Sequence, residues 1–403
     1  MRSTRFLSAV IVVFLACIAR GQDSELLDKA KKGDAASQFA VAMQYRDGKG
    51  VEKDYKEALR WSRLAADQGY AAALDNLGFH YFQGWGVPQD FDIALGYFKA
   101  AGARGSAWGL YNMGRCCFGG QGTPQNYADA MTWWKKAAEK GHGHSAMHVA
   151  MMHASGDGIE RDEAEAIRWC KKAIELGSSD GNVLLGEILF RQGKRDEATA
   201  TWKESADKKN VQATALLQIA DLRIKGGAVG KAGYVEVSHV HQGYNNCGST
   251  TVTMAARFQG AKVTQYEIKR ACPGGPIGTG TDWAELLAAV GKQQLNWKLT
   301  TFAHDADGFE QALSLLKKEI DEGRPLVIDF TVKSSRGGSA GHTLLATGYL
   351  DGGETVILRD PAHVSPGIRL MSKADLEQHW HSRGYSHLAK GKSARPALVL
   401  TPR

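Results

Sequence analysis

Apolar residues between positions 35 and 177 recur three and four apart, and the pattern itself returns every 36 residues. The stretches Tyr55-Lys-Glu-Ala-Leu-Arg-Trp-Ser-Arg-Leu-Ala-Ala, Phe91-Asp-Ile-Ala-Leu-Gly-Tyr-Phe-Lys-Ala-Ala and Tyr127-Ala-Asp-Ala-Met-Thr-Trp-Trp-Lys-Lys-Ala-Ala read as copies of one amphipathic helix. Glycines keep the same period. Gly48, Gly84, Gly120 and Gly156 are each followed two positions later by another glycine, and a second series runs through Gly69, Gly105, Gly141 and Gly177. The pattern predicts helical hairpins: the glycine pair turns the chain between helix A and helix B, where positive backbone angles are needed, and the later glycine ends helix B. A lone hairpin leaves an apolar face in water, so stacked copies must share one core in a superhelical array. A degenerate fifth unit over 182–207 lacks the Gly-x-Gly loop, and helical stretches at 24–32 and 212–225 read as caps.

Past residue 225 the pattern breaks. Residues 226–233, Gly-Gly-Ala-Val-Gly-Lys-Ala-Gly, have the composition of a linker. Beyond it the pattern predicts helices over 247–259, 282–290 and 308–322, then apolar strands over 325–332, 342–350, 355–359 and 397–401. Helices first and strands later indicate an α+β domain with an antiparallel sheet.

Composition adds limits. The 403 residues suit two or three domains, and a net charge of +7, spread without a basic block, argues against a nucleic-acid partner. Arg2 and Arg5 precede an apolar run from Phe6 to Ile18, and Ala19 and Gly21 supply the small residues of a cleavage site. Residues 1–21 are therefore expected to be a signal peptide, with a secreted or periplasmic mature chain starting at Gln22. Cys17 offers a lipid-anchored variant, against which Phe14 and Ile18 count. No later segment carries about 18 uninterrupted apolar residues, so no membrane span is expected. Six cysteines, one of them in the signal, are too few for a disulfide framework, though Cys116, Cys117, Cys170 and Cys272 could still pair in an oxidising compartment.

The run from Ala73 to Asp90, Ala-Leu-Asp-Asn-Leu-Gly-Phe-His-Tyr-Phe-Gln-Gly-Trp-Gly-Val-Pro-Gln-Asp, resembles the Sel-one-like repeat family, short relatives of the tetratricopeptide repeat, and the likeness extends over residues 35–177. The repeat register assigns several reactive residues to packing slots. Cys117 and His153 stand where Tyr45 and Tyr81 stand, and Cys170 stands where Ser62, Phe98 and Trp134 do. His144 and His148, one helical turn apart, read as helix surface rather than a metal pair. His239 with His241, and His379 with His381, have no cysteine or carboxylate at ligand spacing.

Candidate chemistry lies in the second half. In His241-Gln-Gly-Tyr-Asn-Asn-Cys-Gly-Ser-Thr250, Cys247 is placed where a helix should begin, and the first turn of a helix favours a thiolate. Gln242 can donate its amide hydrogens to a developing oxyanion without carrying charge. His342 heads an apolar strand and is the candidate general base. Asp360 ends the next strand, after a hairpin at 351–353, and is the candidate to orient the ring. Asp329, inside a strand, and Asp375, at a helix start, are weaker candidates for that role. Asn245 and Asn246 are expected to shape the turn and cap the helix.

Gln242, the Asn246-Cys247-Gly248 step, Arg257-Phe-Gln-Gly260, Gly341-His342 and Asp360-Pro361 resemble the papain-like superfamily, and within it the double-glycine peptidases that trim bacteriocin leaders. Asn246 stands where exporter-linked members carry an acidic residue, so the closer likeness is to the stand-alone, secreted branch. The resemblance implies Cys247 as nucleophile, His342 as general base, Asp360 as orienter and Gln242 as oxyanion donor, with no cofactor or metal.

The expected architecture is thus multidomain: a signal peptide at 1–21, an all-α helical-repeat solenoid with caps at 22–227, a linker at 228–233, and an α+β papain-like cysteine peptidase domain with an antiparallel sheet at 234–403. The expected function is cleavage of a peptide or protein substrate, with a further protein partner on the repeats. Two alternatives remain at this stage. One is an acyl or peptide-bond transferase using the same thiol; the other is a non-catalytic binding protein, which a Cys247–Cys272 disulfide would favour.

Overall fold

A computed structural model describes residues 25–225, 227–229, 232–234, 247–259, 261, 263, 297–303, 305–333, 339–360, 367–380, 382–383 and 393–399. Within these, residues 221–222, 224–225, 227–229, 233, 247–249, 298–299, 329–333, 339–342, 382–383 and 393–399 are described by their backbone alone. Two compact units comprise the residues up to Ala146 and those from Met147 onward.

The first unit follows a helical stretch at 25–31 with hairpins α1 (Ala35–Asp47) and α2 (Tyr55–Asp67), α3 (Ala71–Gln83) and α4 (Phe91–Ala103), and α5 (Ala107–Gly119) and α6 (Tyr127–Glu139). Each A helix stops at a glycine in the left-handed region, Gly48, Gly84 or Gly120, with φ of 71°, 70° and 69°. Each B helix starts under a polar cap. The Asp54 carboxylate accepts from the N–H groups of Lys56 and Glu57, Asp90 from Ile93, and the Asn126 amide oxygen from Asp129, which satisfies donors that a helix start leaves open. The N–H groups of the same three caps donate to the carbonyls of Tyr45, Tyr81 and Cys117, closing the hairpin at an equivalent point in each repeat.

The second glycines Gly86 and Gly122 lie against the preceding hairpin. Gly122 has φ of 67°, and a β-carbon there would stand 2.7 Å from the carbonyl carbon of Phe91, the first residue of the preceding B helix. Helix A and helix B also share a slot filled once, from one side or the other. A β-carbon on Gly78 would stand 2.6 Å from Phe98 Cδ1, and one on Gly114 would stand 2.5 Å from Trp134 Cδ1. In the first hairpin the same two positions hold Ala42 and Ser62, both fully buried. A ring on helix B thus accompanies a glycine on helix A, and a methyl on helix A accompanies a small residue on helix B.

The second unit continues the rule. Along α7 (Gly143–Ser155) and α8 (Glu163–Glu175) the slot holds Ala150 and Cys170, both with no exposed surface. In α9 (Asp180–Arg191) and α10 (Arg195–Asp207), the degenerate fifth hairpin, it holds Gly186 and Trp202. Cys170 is buried in the packing slot the repeat register assigns to it, and it is small where Ala150 supplies the methyl. Helix α11 (Val211–Lys225) packs on α10, and its Arg223 guanidinium pairs with the buried Glu187 carboxylate and lies over the rings of Phe190 and Trp202.

Residues 228–233, expected as a linker, fall largely within a pair of strands. Strands β1 (Gly227–Val229) and β2 (Ala232–Tyr234) pair antiparallel, and β2 then pairs with β5 (Ser339–Leu350). The glycines allow the close backbone approach of a hairpin, and ladder bonds supply the order that their composition does not. Among the described residues, these strands join β3 (Lys298–Ala303), β4 (Leu326–Lys333), β6 (Thr355–Arg359), β7 (Ile368–Ser372), β8 (Ser382–Arg383) and β9 (Ser393–Val399) in one antiparallel sheet. β5 is its hub, paired with β2, β4 and β6. The predicted strands at 325–332, 342–350 and 355–359 are present nearly as expected, whereas β3, β7 and β8 were not anticipated. The predicted helix at 282–290 lies outside the described residues.

Helices α12 (Cys247–Phe258) and α13 (Ala306–Asp321) pack on this sheet through a core that includes Met254, Ala255, Phe309, Leu313, Ile328, Leu344 and Leu358. A second core joins the last repeat to the same sheet. Trp202, Leu216, Ile219, Tyr234, Ile357 and Ile368 form one buried cluster, with α11 lying against β1, β2 and β7. The helix expected to cap the array therefore also covers part of the sheet.

Candidate active site

Helix α12 begins at Cys247 and continues through Gly-Ser-Thr-Thr-Val-Thr, a run of poor helix formers. Tertiary packing holds it helical. Thr250 to Ala256 are all buried, and a hydroxyl in such a place needs a partner. Thr251 Oγ1 donates to the Thr343 carbonyl at 2.8 Å, a buried bond between residues far apart in sequence. Thr251 stands one turn after Cys247 on the helix, and Thr343 follows His342 in β5. The bond therefore fastens the helix that begins at Cys247 to the strand that carries His342. At the other end of α12, Arg257 Nε donates to the Val263 carbonyl at 2.7 Å, and its Nη2 lies 3.5 Å from Asp157 Oδ1 in the loop of the fourth repeat.

In β5, His342 pairs in register with Phe330 of β4. On the other side Leu345 pairs with Arg359, the last residue of β6, so Asp360 follows at the level of Leu344, two positions along β5 from His342. Asp360 is 2% exposed. Its N–H donates to the Gly367 carbonyl at 2.7 Å, and its Oδ2 lies 3.7 Å from Arg369 Nη1. Arg359, buried beside it, donates from Nη2 to the Tyr234 hydroxyl in β2 at 2.9 Å.

Cys247, His342 and Asp360 thus occupy a helix start, a strand and a strand end whose elements converge on β5. Gln242, Asn245 and Asn246 lie outside the described residues, as do Cys272, His239, His241 and His381. Asp329, in β4, pairs in register with Thr343 of β5. At the start of helix α14 (Lys373–His379) Ser372 is the cap: its hydroxyl accepts from the Asp375 N–H at 3.1 Å and donates to the Asp375 carboxylate at 2.8 Å, which engages that carboxylate at the helix start. Thr251, Gly367 and Arg369 were not singled out in the sequence. Thr251 carried one legible signal, a threonine run inside an otherwise apolar helix.

The repeat cysteines have the opposite character. Cys116, Cys117 and Cys170 are free and buried. Burial pushes the Cys116 thiol up to about 12 despite the Arg115 charge beside it, and raises Cys117 and Cys170 as well. These thiols are poor nucleophiles. Among the described residues, no group of three or more His, Cys, Asp or Glu could hold a metal ion. No helix among them is long and apolar enough to cross a membrane.

Residues 234–388 match the model of the Peptidase_C39 like family. They form a Peptidase_C39-like domain. Residues 35–70, 71–106, 109–142 and 143–178 each match the Sel1 repeat, so the chain carries four such repeats ahead of that domain. Both resemblances read from the sequence hold, as does the fold class: a helical-repeat solenoid and then an α+β region with an antiparallel sheet. Among solved structures, a Sel1 repeat protein from Oxalobacter formigenes aligns at 27% identity and a TM-score of 0.44, covering 46% of this chain and 78% of its own. A protective antigen of uropathogenic Escherichia coli with an SLR fold aligns at 20% identity and a TM-score of 0.42, covering 72% of this chain and 58% of its own. A double glycine motif protease from an AMS/PCAT transporter, solved with a leader peptide, aligns at 14% identity and a TM-score of 0.28, covering 42% of this chain and 95% of its own. No curated protein matches the chain in sequence.

Proposed function

We propose that this protein is a secreted or periplasmic cysteine peptidase acting on a peptide or protein substrate, with the repeat array as the platform that binds a protein partner or the substrate itself. Cys247 is the nucleophile, His342 the general base, Asp360 the carboxylate that orients the imidazole, and Gln242 an oxyanion donor. The observation that carries the reading is the Thr251–Thr343 bond, which ties the helix starting at Cys247 to the strand of His342 within a Peptidase_C39-like domain. The buried Asp360 at the end of the neighbouring strand supports the third role.

The chemistry follows from these groups. The Cys247 thiolate, favoured by the helix start and an imidazolium partner, attacks the scissile carbonyl carbon, and the negative charge moves to the carbonyl oxygen, where backbone N–H groups and Gln242 hold it. Collapse of this intermediate breaks the C–N bond as the imidazolium gives its proton to the leaving amine. Water, deprotonated by the imidazole, then attacks the thioester, releasing the acid and restoring the thiol.

The test uses the protein lacking residues 1–21. A thiol-directed peptide electrophile near neutral pH is expected to label Cys247 ahead of every other cysteine, and Cys247→Ala to abolish proteolysis. Absence of both results overturns the reading. Products formed with an added amine acceptor distinguish hydrolysis from transfer: hydrolysed product alone supports the peptidase, and acyl-amine product replaces it with a transferase. A permanent Cys247–Cys272 disulfide in the purified protein also overturns it.

A further inference from the structure

Gln212, in the first turn of α11, hydrogen-bonds the backbone that holds Asp360. Its Oε1 accepts from the N–H of Gly367 at 3.0 Å, while the carbonyl of the same Gly367 accepts from the N–H of Asp360 at 2.7 Å. Gly367 has φ of 62°, and both of its peptide groups are engaged, one toward α11 and one toward Asp360. Gln212 is itself held in place. Asn210 caps α11 by accepting from the N–H of Ala213 at 3.0 Å, and its amide nitrogen lies 3.0 Å from Asp180 Oδ1 and 3.3 Å from Ser179 Oγ at the start of the fifth hairpin. Hydrogen bonds joined by short stretches of backbone therefore link that hairpin, through Asn210, the first turn of α11, Gln212 and Gly367, to Asp360.

We propose that Gln212 is a positioning residue for Asp360, so that the end of the repeat array is a structural part of the peptidase site. The inference rests on the triad reading above. Gln212 touches no reacting atom; it acts by fixing Gly367, which fixes the backbone of Asp360. The guanidinium of Arg369, two residues beyond Gly367, lies 3.7 Å from the carboxylate. Without the Gln212 bond Gly367 no longer fixes the backbone of Asp360, and the carboxylate is less well placed to orient the imidazole of His342. An acceptor at position 212 is what the geometry requires, not an amide as such.

The experiment measures the rate of iodoacetamide alkylation of Cys247, mapped by mass spectrometry, as a function of pH in the full mature chain. Wild type is expected to reach half-maximal rate below the ordinary thiol range, and Asp360→Asn to move that midpoint upward. Gln212→Met, similar in length but without a comparable acceptor, should move it the same way and slow labelling at pH 6 about tenfold, the effect of roughly one unit in a thiol pKa. Gln212→Glu, which keeps an acceptor, should restore the wild-type midpoint, and circular dichroism and melting of each variant report the fold. If Gln212→Met does not fold, Gln212→Glu against Gln212→Lys carries the comparison. A wild-type profile for Gln212→Met alongside a shifted Asp360→Asn overturns the role of Gln212 and leaves the triad standing, as does a Gln212→Glu midpoint displaced as far as that of Gln212→Met. An ordinary thiol midpoint in wild type itself overturns the triad and this inference with it.

Discussion

Replacing Gly114 by alanine should lower the stability of the repeat array even though alanine is the better helix former. In the interior of a helix the exchange gains about 1 kcal/mol from backbone entropy. Against this, the new β-carbon would stand 2.5 Å from Cδ1 of Trp134, a rigid ring with almost no exposed surface. Overpacking of this kind costs about 1–3 kcal/mol. The ring also cannot move freely, because its indole N–H donates to the Tyr111 carbonyl at 3.1 Å, and losing that bond costs about 1 kcal/mol more. The net expectation is a loss of about 1–3 kcal/mol. Trp134→Ser removes the obstacle, and adding Gly114→Ala to it re-creates the Ala42 and Ser62 pairing of the first hairpin. In that background Gly114→Ala should stabilise by about 1 kcal/mol. Urea unfolding of the four proteins of this cycle, followed by circular dichroism, reads the change of sign directly. The same sign for Gly114→Ala in both backgrounds would refute the shared-slot reasoning.

Three further outcomes follow from the structure. Burial lowers the His142 pKa to about 4 from 6.5, with the His144 charge adding to the effect, and burial raises Asp75 to about 6 from 3.8. The folded state therefore binds fewer protons than the unfolded at His142, losing stability as pH falls from about 6.5 to 4, and more protons at Asp75, losing stability as pH rises from about 4 to 6. The two oppose each other, so Asp75→Asn should steepen the loss toward acid; an unchanged pH profile of the urea midpoint would count against it. Native protein treated with a disulfide-exchange reagent should leave Cys116 and Cys170 unmodified until denaturant is added, and their rapid native labelling would contradict their burial. Arg223→Ala leaves the Glu187 carboxylate buried without its guanidinium and should cost about 3–5 kcal/mol; an unaltered melting temperature would show that the pair contributes nothing.

The repeats were legible because each layer of information carried the same 36-residue period: apolar spacing, turn glycines and cap residues. Even the placement of Cys170 in a packing slot could be read, since the register sets it beside Ser62, Phe98 and Trp134. The sheet was legible where apolar and β-branched residues dominate a strand, as at 326–333 and 355–359. It was not legible at 227–234, where a glycine-rich composition matches both a linker and a close-packed hairpin, and only pairing with Tyr349 and Gly348 decides between them. β7 was missed because Ile-Arg-Leu-Met-Ser is short and its burial depends on α11 and β6. At the candidate site, the sequence offered the reactive residue types and their order. The partners that fix them, Thr343 for Thr251 and Gln212 for Gly367, lie 92 and 155 residues away, and no local pattern encodes such distances.

The shared core of Trp202, Leu216, Tyr234 and Ile368 also constrains how such a protein can change length over generations. A 36-residue unit duplicated among the early hairpins meets surfaces that are already near-copies of its own, because the caps, loop glycines and shared slots recur. A unit inserted after residue 207 would separate α11 from Trp202 and oblige the sheet to find another cover. Growth and shrinkage of the array are thus open among the periodic repeats and closed at the junction with the sheet. Related chains with different repeat numbers should accordingly vary upstream of the fifth hairpin while keeping α10, α11 and the 227–234 hairpin as one inherited block.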